Sequence, residues 1–322
     1  MRLRWFAGKA LAALLTLAFV LVFNFFLFRI MGDPTAQLAR LPRASPEEIQ
    51  QLRAYYGLDK PLLGQFADYA RDTVQLDLGI SQRSRRDVSE ELGDAIPWTF
   101  LLIGTGTLLA TALGTWLGVI AATRRGTAAD DGLLGFSLFT YAAPEYWIGI
   151  ILILLLAVAV PIFPAGQQVT PGAEFSSWFA EAADVAEHMV LPVTALTLML
   201  LGQYFVIMRS SMVDVLTEDF VTVKRATGMP WNKVVRRHAV PNALLPLVTL
   251  AALQFGGVAG GVITIETIFS WPGLGELTYN AINDKDFPVL QGTFLVFSVA
   301  VILANLAADA LYFVLDPRVQ SA

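Results

Sequence analysis

The chain has 322 residues, of which 55% are hydrophobic and only 15% charged, with a mean hydropathy of +0.58. A water-soluble domain carries about 25% charged residues, so much of this surface faces a medium other than water. A net charge of −5 excludes a simple nucleic-acid binder, and the lack of any cysteine excludes disulfides, thiolate metal sites and cysteine nucleophiles.

A helix crossing about 30 Å of hydrocarbon needs about 20 mostly apolar residues. Lipid offers free backbone groups no partner, so uncharged runs of that length must be helical. The first is Ala10 to Phe28. Arg2, Arg4 and Lys9 ahead of it also fit a secretory signal. However, its apolar core exceeds the usual run of about 7–15 residues and no small-x-small site follows Phe28, which favours an uncleaved anchor. Ala95 to Thr123 is the second span, with Pro97 placed in its first turn. Gly132 to Val160 is the third and holds one charge, Glu145, directly after Pro144, where the helix has reason to kink. Met189 to Met208, Ala243 to Ile265 and Phe287 to Ala308 complete six.

Basic residues set the orientation. With both termini cytoplasmic, Arg2, Arg4, Lys9, Arg124, Arg125, Arg209, Lys224, Arg225, Lys233, Arg236, Arg237 and Arg318 all lie inside, and the short outer loops near 161–188 and 267–287 hold only Lys285. The expected division is residues 1–30 as the N-terminal end and first span, 31–94 as a small helical extracytoplasmic insertion, and 95–322 as a five-helix core. Within the insertion, Ser45-Pro46-Glu47-Glu48 starts a helix that Gly57 can end, a second begins after Asp59 and Pro61 with Leu62, Phe66, Tyr69 and Thr73 on one face, and Asp77-Leu78-Gly79 reads as a turn. It serves as a cap, or as a docking surface or lid.

The long loop at about 209–243 carries the most information. Asp214 to Thr227 reads as a helix with Val215, Phe220, Val223 and Ala226 on one side; Gly228 supplies a left-handed stop and Pro230 blocks continuation. Trp231 to Ala239 resumes as a second helix, Val234 and Val235 inward and Lys233, Arg236 and Arg237 outward. From residue chemistry alone this is either a rigid protrusion or a basic loop touching anionic lipid.

Gly228 and Pro241, thirteen apart, resemble the coupling-loop signature of ABC importer permeases. The words around them are similar to the oligopeptide, dipeptide and nickel permease family: Arg209-Ser-Ser-Met212, Asp219-Phe-Val221, Arg225-Ala226, and His238-Ala239 followed by Asn242-Ala243 and Pro246. So are Gly32-Asp33-Pro34, Tyr56 to Pro61, Asp77-Leu-Gly79 with Ser81, Pro97 with Thr99, Glu266 with Ile268-Phe269, Pro272-Gly-Leu-Gly275, and the closing Asp309, Tyr312 and Asp316-Pro-Arg318. Their order resembles the first of the two permeases such systems encode. Val223 and Lys224 stand where relatives carry small residues, and Thr227 replaces a common lysine.

The resemblance implies an all-α polytopic protein of the type I ABC importer permease fold, in the inner membrane of a prokaryote, importing peptides, with nickel or another small solute as the alternative. It implies a second homologous permease, two ATPase subunits carrying ATP and magnesium, and an extracytoplasmic substrate-binding protein. Asp219, Phe220, Thr222, Val223, Lys224, Arg225, Ala226, Thr227, Gly228, Met229 and Pro241 would meet the ATPase. The chain has no GxxxxGK[ST] phosphate loop, since Gly8-Lys9 lacks the preceding glycine and the hydroxyl residue, so it is no ATPase itself and is expected to bind no cofactor or metal. Small residues let helices approach closely in lipid. Gly114 with Gly118, and Gly256, Gly257, Gly260 and Gly261, are therefore read as static packing or as a partner or pore contact. Charges near spans need a reason, which makes Glu145 and Glu266 further candidates and the third and fifth spans the expected pore lining. An ion-driven secondary transporter would show internal repeats, and none is evident. An intramembrane hydrolase needs clustered catalytic groups, whereas His188 and His238 fall on opposite sides by the expected topology.

Overall fold

The computed structural model describes residues 2–31, 50, 59–248, 250–251 and 259–315. The expected helix at Ser45 to Gly57 lies outside them apart from residue 50. The described residues form helices α1 (Arg2–Met31), α2 (Leu62–Val74), α3 (Val88–Thr123), α4 (Ala128–Ala142) and α5 (Glu145–Ile153), the last running on as a π-helical turn, Leu154–Ala159. There follow α6 (Trp178–Leu216), α7 (Asp219–Ala226), α8 (Trp231–Val234), a π-helical turn Val235–Ala239, α9 (Val240–Ala243), α10 (Ala259–Ile268), α11 (Leu274–Asp284) and α12 (Phe287–Leu315). Four helices, α1, α3, α6 and α12, are long and apolar enough to cross a membrane, and α4 with α5 makes a fifth candidate. The remaining expected span, Ala243 to Ile265, runs through residues outside the described set.

Two expectations about these spans change. The third span is not one helix: α4 and α5 meet at 101°. Ala143 and Pro144 both take extended backbone, with ψ of 137° and 134°. A residue before proline is pushed from the helical region and proline itself donates no hydrogen bond, so the break falls where both effects coincide. In the second span, Pro97 is not in the first turn but inside α3, which begins at Val88. Glu90 and Glu91 occupy that helix's first turn, where exposed N–H groups favour carboxylates, and so extend it outward.

The molecule divides into two compact units, residues 1–96 with 277–302 and residues 97–276 with 303–322. In the first, Phe25 of α1 packs on Phe66 and Tyr69 of α2, with ring centroids 5.4 and 5.6 Å apart. Asn24, buried in the apolar stretch of α1, donates to Tyr69 Oη and to the Gln291 carbonyl, both at 3.1 Å. Thr73 of α2 is buried as its spacing suggests, while Leu62 is exposed. Asp77 Oδ1 accepts from Gly79 N–H and closes the expected turn, in which Gly79 takes φ +82°. Asp286 accepts from Ser81 Oγ at 2.6 Å and Arg83 N–H at 3.0 Å, pinning that turn to the start of α12.

The core of the second unit is the packing of α3 and α4 on α6. Gly106, Ala110, Gly114 and Gly118 repeat every four residues along α3. A Cβ at Gly114 would lie 2.6 Å from Tyr204 Cβ, and one at Gly118 would lie 2.8 Å from Met208 Cβ, so the α6 backbone runs directly against this stripe. Overpacking costs about 1–3 kcal/mol and more where backbone blocks relaxation. Gly114→Leu is therefore expected to lower the amount of folded protein in membranes severalfold, measured by fluorescence-detected size-exclusion chromatography, whereas Gly135→Leu, at a position with open space around it, leaves it unchanged.

Candidate functional site: a loop elbow and a buried carboxylate

The loop after α6 is built as an elbow. The fourth expected span continues through Leu216, so Asp214 belongs to α6, and the first loop helix begins at Asp219 rather than Asp214. Thr217 ends α6: its hydroxyl and its N–H both turn back on the Asp214 carbonyl. Asp219 sits in the first turn of α7, and Lys224 and Arg225 in the last, each matching the helix dipole. Thr227 Oγ1 closes the end by donating to the Lys224 carbonyl at 2.8 Å, and Gly228 N–H donates to the Arg225 carbonyl at 2.9 Å.

Gly228 then turns the chain with φ +81° and open space around its Cα. Substitution there is opposed by backbone conformation alone, about 1–2 kcal/mol for an L-residue in the left-handed region. Gly228→Ala is expected to lower the midpoint of thermal unfolding by a few degrees, with Gly228→Asn milder because asparagine tolerates this region. Past the turn, Arg225 lies over the Trp231 ring at 5.2 Å from its centroid, a cation–π contact that ties α7 to α8 across the glycine.

The faces of this elbow differ from the expected ones in part. In α7 the fully buried side chain is Val221; Val215 of α6 and Phe220 are half-buried, but Val223 is 59% exposed and Ala226 is exposed. The helix starts five residues later than its apolar spacing suggests, which rotates those two positions outward. Thr222, Val223, Arg225, Ala226, Thr227 and Gly228 thus form one exposed face, with Lys224 and Met229 half-covered. Beyond it Val234 and Val235 point inward and Lys233, Arg236 and Arg237 outward, as their spacing suggests. This second helix runs on past Ala239 as the π-helical turn and α9. Pro241 sits inside that stretch, and its missing N–H accounts for the widened turn before it.

A second constellation surrounds Glu266, at the far end of α10 and 0% exposed. Its carboxylate accepts from Thr99 Oγ1 at 2.7 Å, Gly275 N–H at 2.6 Å and Glu276 N–H at 3.3 Å. Thr99 Oγ1 in turn accepts from Leu274 N–H at 2.7 Å. Trp271 folds back, its N–H donating to the Glu266 carbonyl and its indole N–H to the Trp98 carbonyl at 3.0 Å. A Cβ at Gly273 would collide with the carboxylate, and one at Gly275 would sit 2.8 Å from Oε2. The glycines of Pro272-Gly-Leu-Gly275 are there because the chain wraps this carboxylate at van der Waals distance. Glu266 is thereby committed to holding the 269–276 loop.

The other candidate residues stand apart from both groups. Glu145 opens α5, half-buried, where helix N–H groups favour a carboxylate. Gly114 and Gly118 lie in the α3–α6 seam. Gly260 and Gly261 are in α10, and Gly256 and Gly257 lie outside the described residues. His188 Nδ1 is 2.9 Å from the Asp184 carbonyl, within its own helix. Sequence reasoning missed Asp130, which is 1% exposed and receives Arg209 through Nε at 2.6 Å and Nη2 at 2.7 Å. The signal was Thr127-x-x-Asp130 ahead of an apolar run, a capping arrangement in which Thr127 accepts from Asp130 N–H.

Residues 114–321 match the family described as binding-protein-dependent transport system inner membrane component, and residues 2–103 match its N-terminal companion. The chain is 38% identical over 323 residues to the dipeptide transport system permease protein DppB of Escherichia coli K12, covering 95% of this chain and 93% of that one. It is 34% identical to the di/tripeptide transport system permease protein DppB of Pseudomonas aeruginosa UCBPP-PA14, covering 98% of both. Among solved structures, the MetNI methionine ABC transporter matches with a TM-score of 0.55 at 16% identity, over 70% of this chain and 96% of that one. The fold is thus that of a type I ABC importer permease, all-α and multi-pass. The chain belongs to the binding-protein-dependent transport system inner membrane component family and is a transport subunit of the inner membrane.

Proposed function

We propose that this chain is one of two permeases forming the channel of a peptide importer, driven by two ATPases that seat on the Gly228 elbow. The observation that carries the reading is the exposed face of α7. Val223 and Ala226 project from a short helix closed at its C-terminal end by Thr227 and Gly228, where an apolar side chain gains nothing from water and a partner's groove gains from covering it. Both termini and the elbow lie in the cytosol, as the arginine and lysine placement requires, and residues 31–94 face a substrate-binding protein on the other side. ATP and magnesium reside on the ATPases; this chain contributes the path and the lever.

ATP binding can drive the transition only if the ATPases grip the elbow differently in their open and closed states. A stiff elbow transmits that difference, whereas a slack loop dissipates it. Peptides are the substrate because near-full-length relatives include dipeptide and di/tripeptide permeases. The test is uptake into proteoliposomes holding this chain with its partner permease, ATPases and binding protein. Labelled dipeptide should accumulate only with ATP, regardless of ionophores, and nickel should not compete. Uptake that survives ATP removal but collapses with a proton or sodium ionophore would rule the reading out.

A further inference from the structure

A further buried and fully engaged charge in the second unit lies at neither the elbow tip nor Glu266. Asp130, three residues into α4, accepts two bonds from Arg209 and a third from Gly126 N–H at 3.1 Å. Arg209 stands on α6 seven residues before its end, where that helix leads toward the elbow. Seven residues further along α4 and seven back along α6, the helices meet again. Gly202 has no room for a Cβ, which would collide with the Ser137 carbonyl and lie 2.6 Å from Tyr141 Cβ. The equal spacing is that of two antiparallel helices in register, bonded at one level and closely packed at a second about 10 Å away along the axis.

The ion pair opposes sliding of one helix along the other, and the close backbone packing at Gly202 opposes pivoting about that pair. Displacing α4 along α6 would strip a buried carboxylate and a guanidinium of their partners, and such separations are costly. The first place where α4 can yield is its end, where Ala143 and Pro144 are extended and α5 departs at 101°. On its other side α5 is held close. A Cβ at Gly149 would lie 3.3 Å from Ile268 Cγ2 and 3.4 Å from Phe269 Cε2, at the end of α10.

We propose that α4 and α6 move as one body, locked by the Asp130–Arg209 pair, and that Ala143–Pro144 is the joint through which motion of the elbow reaches α5. Asp130 and Arg209 are positioning residues. They touch no substrate or nucleotide, and they make the lever and the α4 segment a single part. The inference rests on the reading that ATPases act at the elbow.

The cysteine-free chain allows a direct test by spin labelling of the assembled importer. Labels at Ala129→Cys and Asp214→Cys report α4 against α6; labels at Ala129→Cys and Val158→Cys report α4 against the end of the α5 stretch. All three positions are exposed. Between nucleotide-free and ATP-trapped states, the first distance should stay within about 2 Å and the second should change by more, the amplitude of helix shifts in switching proteins. A larger change in the first, or none in the second, overturns the proposal. Asp130→Asn should lower peptide uptake at least about tenfold while the ATPases still co-purify, and unchanged uptake overturns it as well. Should the ATPases fail to co-purify with the unsubstituted chain, it is the underlying reading that fails, independently of either distance.

Discussion

Replacing Glu266 by alanine is expected to remove the assembled permease from membranes almost completely. The carboxylate is fully buried and satisfies Thr99 Oγ1, Gly275 N–H and Glu276 N–H together. Truncation leaves three donors without their acceptor in a site closed to water, and each such group costs about 1–3 kcal/mol. The sum approaches the total stability of an ordinary domain, about 5–15 kcal/mol. Glu266→Gln keeps the shape and an acceptor oxygen for the Gly275 and Glu276 N–H groups, and its NH2 can donate to Thr99 Oγ1 only if that hydroxyl turns its proton away, so an intermediate loss is expected. Thr99→Val removes one donor to the carboxylate and one acceptor for Leu274 N–H, and should resemble Glu266→Gln. Quantitative immunoblotting of membranes, with thermal unfolding of the purified protein, distinguishes the three. Wild-type levels for Glu266→Ala would show that the carboxylate does not organise the 269–276 loop.

Ala226→Glu carries the second large expectation, and it leaves the fold intact. Ala226 ends α7 on its exposed face, so the new carboxylate is free to reach water and the isolated chain should accumulate normally. On the proposed docking the ATPase covers the same face in the assembled importer. An unpaired charge buried at the centre of an interface costs 2 kcal/mol or more, about thirtyfold in affinity. The negative charge also opposes the dipole at the end of α7. ATPase co-purification should therefore fall at least about thirtyfold and peptide uptake with it. Ser210→Glu, at an exposed position of α6 before the loop, is the control expected to retain both. Equal retention by the two variants would mean that the α7 face is not the docking surface.

How much of this was legible beforehand depends on the range of the forces involved. Length and apolarity placed the spans because the bilayer thickness is a fixed physical constraint, and α1, α3, α6 and α12 all extend past the runs that identified them. Glycine and proline placed the elbow, since Gly228 and Pro230 act on their own backbone. What local signals could not give was the starting point of α7. Thr217 and Glu218 interrupt the helix through capping bonds that no apolar periodicity records, and the displacement turned Val223 and Ala226 outward. Pro144 announced a kink, but its 101° size depends on what α5 packs against. Asp130 and Glu266 show the same limit from the side of charge. Each is a carboxylate at a helix end, and each is explained by a partner 79 or 167 residues away in sequence. The glycines after Glu266 were visible as a motif; their reason, a backbone wrapped around a carboxylate, needed the third dimension.

Coupling through the elbow requires the α7 face to lie in the cytosol under the ATPase. Val223→Cys introduces a single thiol into a chain that has none, at an exposed position of that face. Labelling with a membrane-impermeant maleimide should fail in sealed right-side-out spheroplasts, proceed in inside-out vesicles stripped of ATPase, and be blocked when purified ATPase is returned. Labelling from the outer side, or labelling that the returned ATPase leaves unchanged, would contradict it.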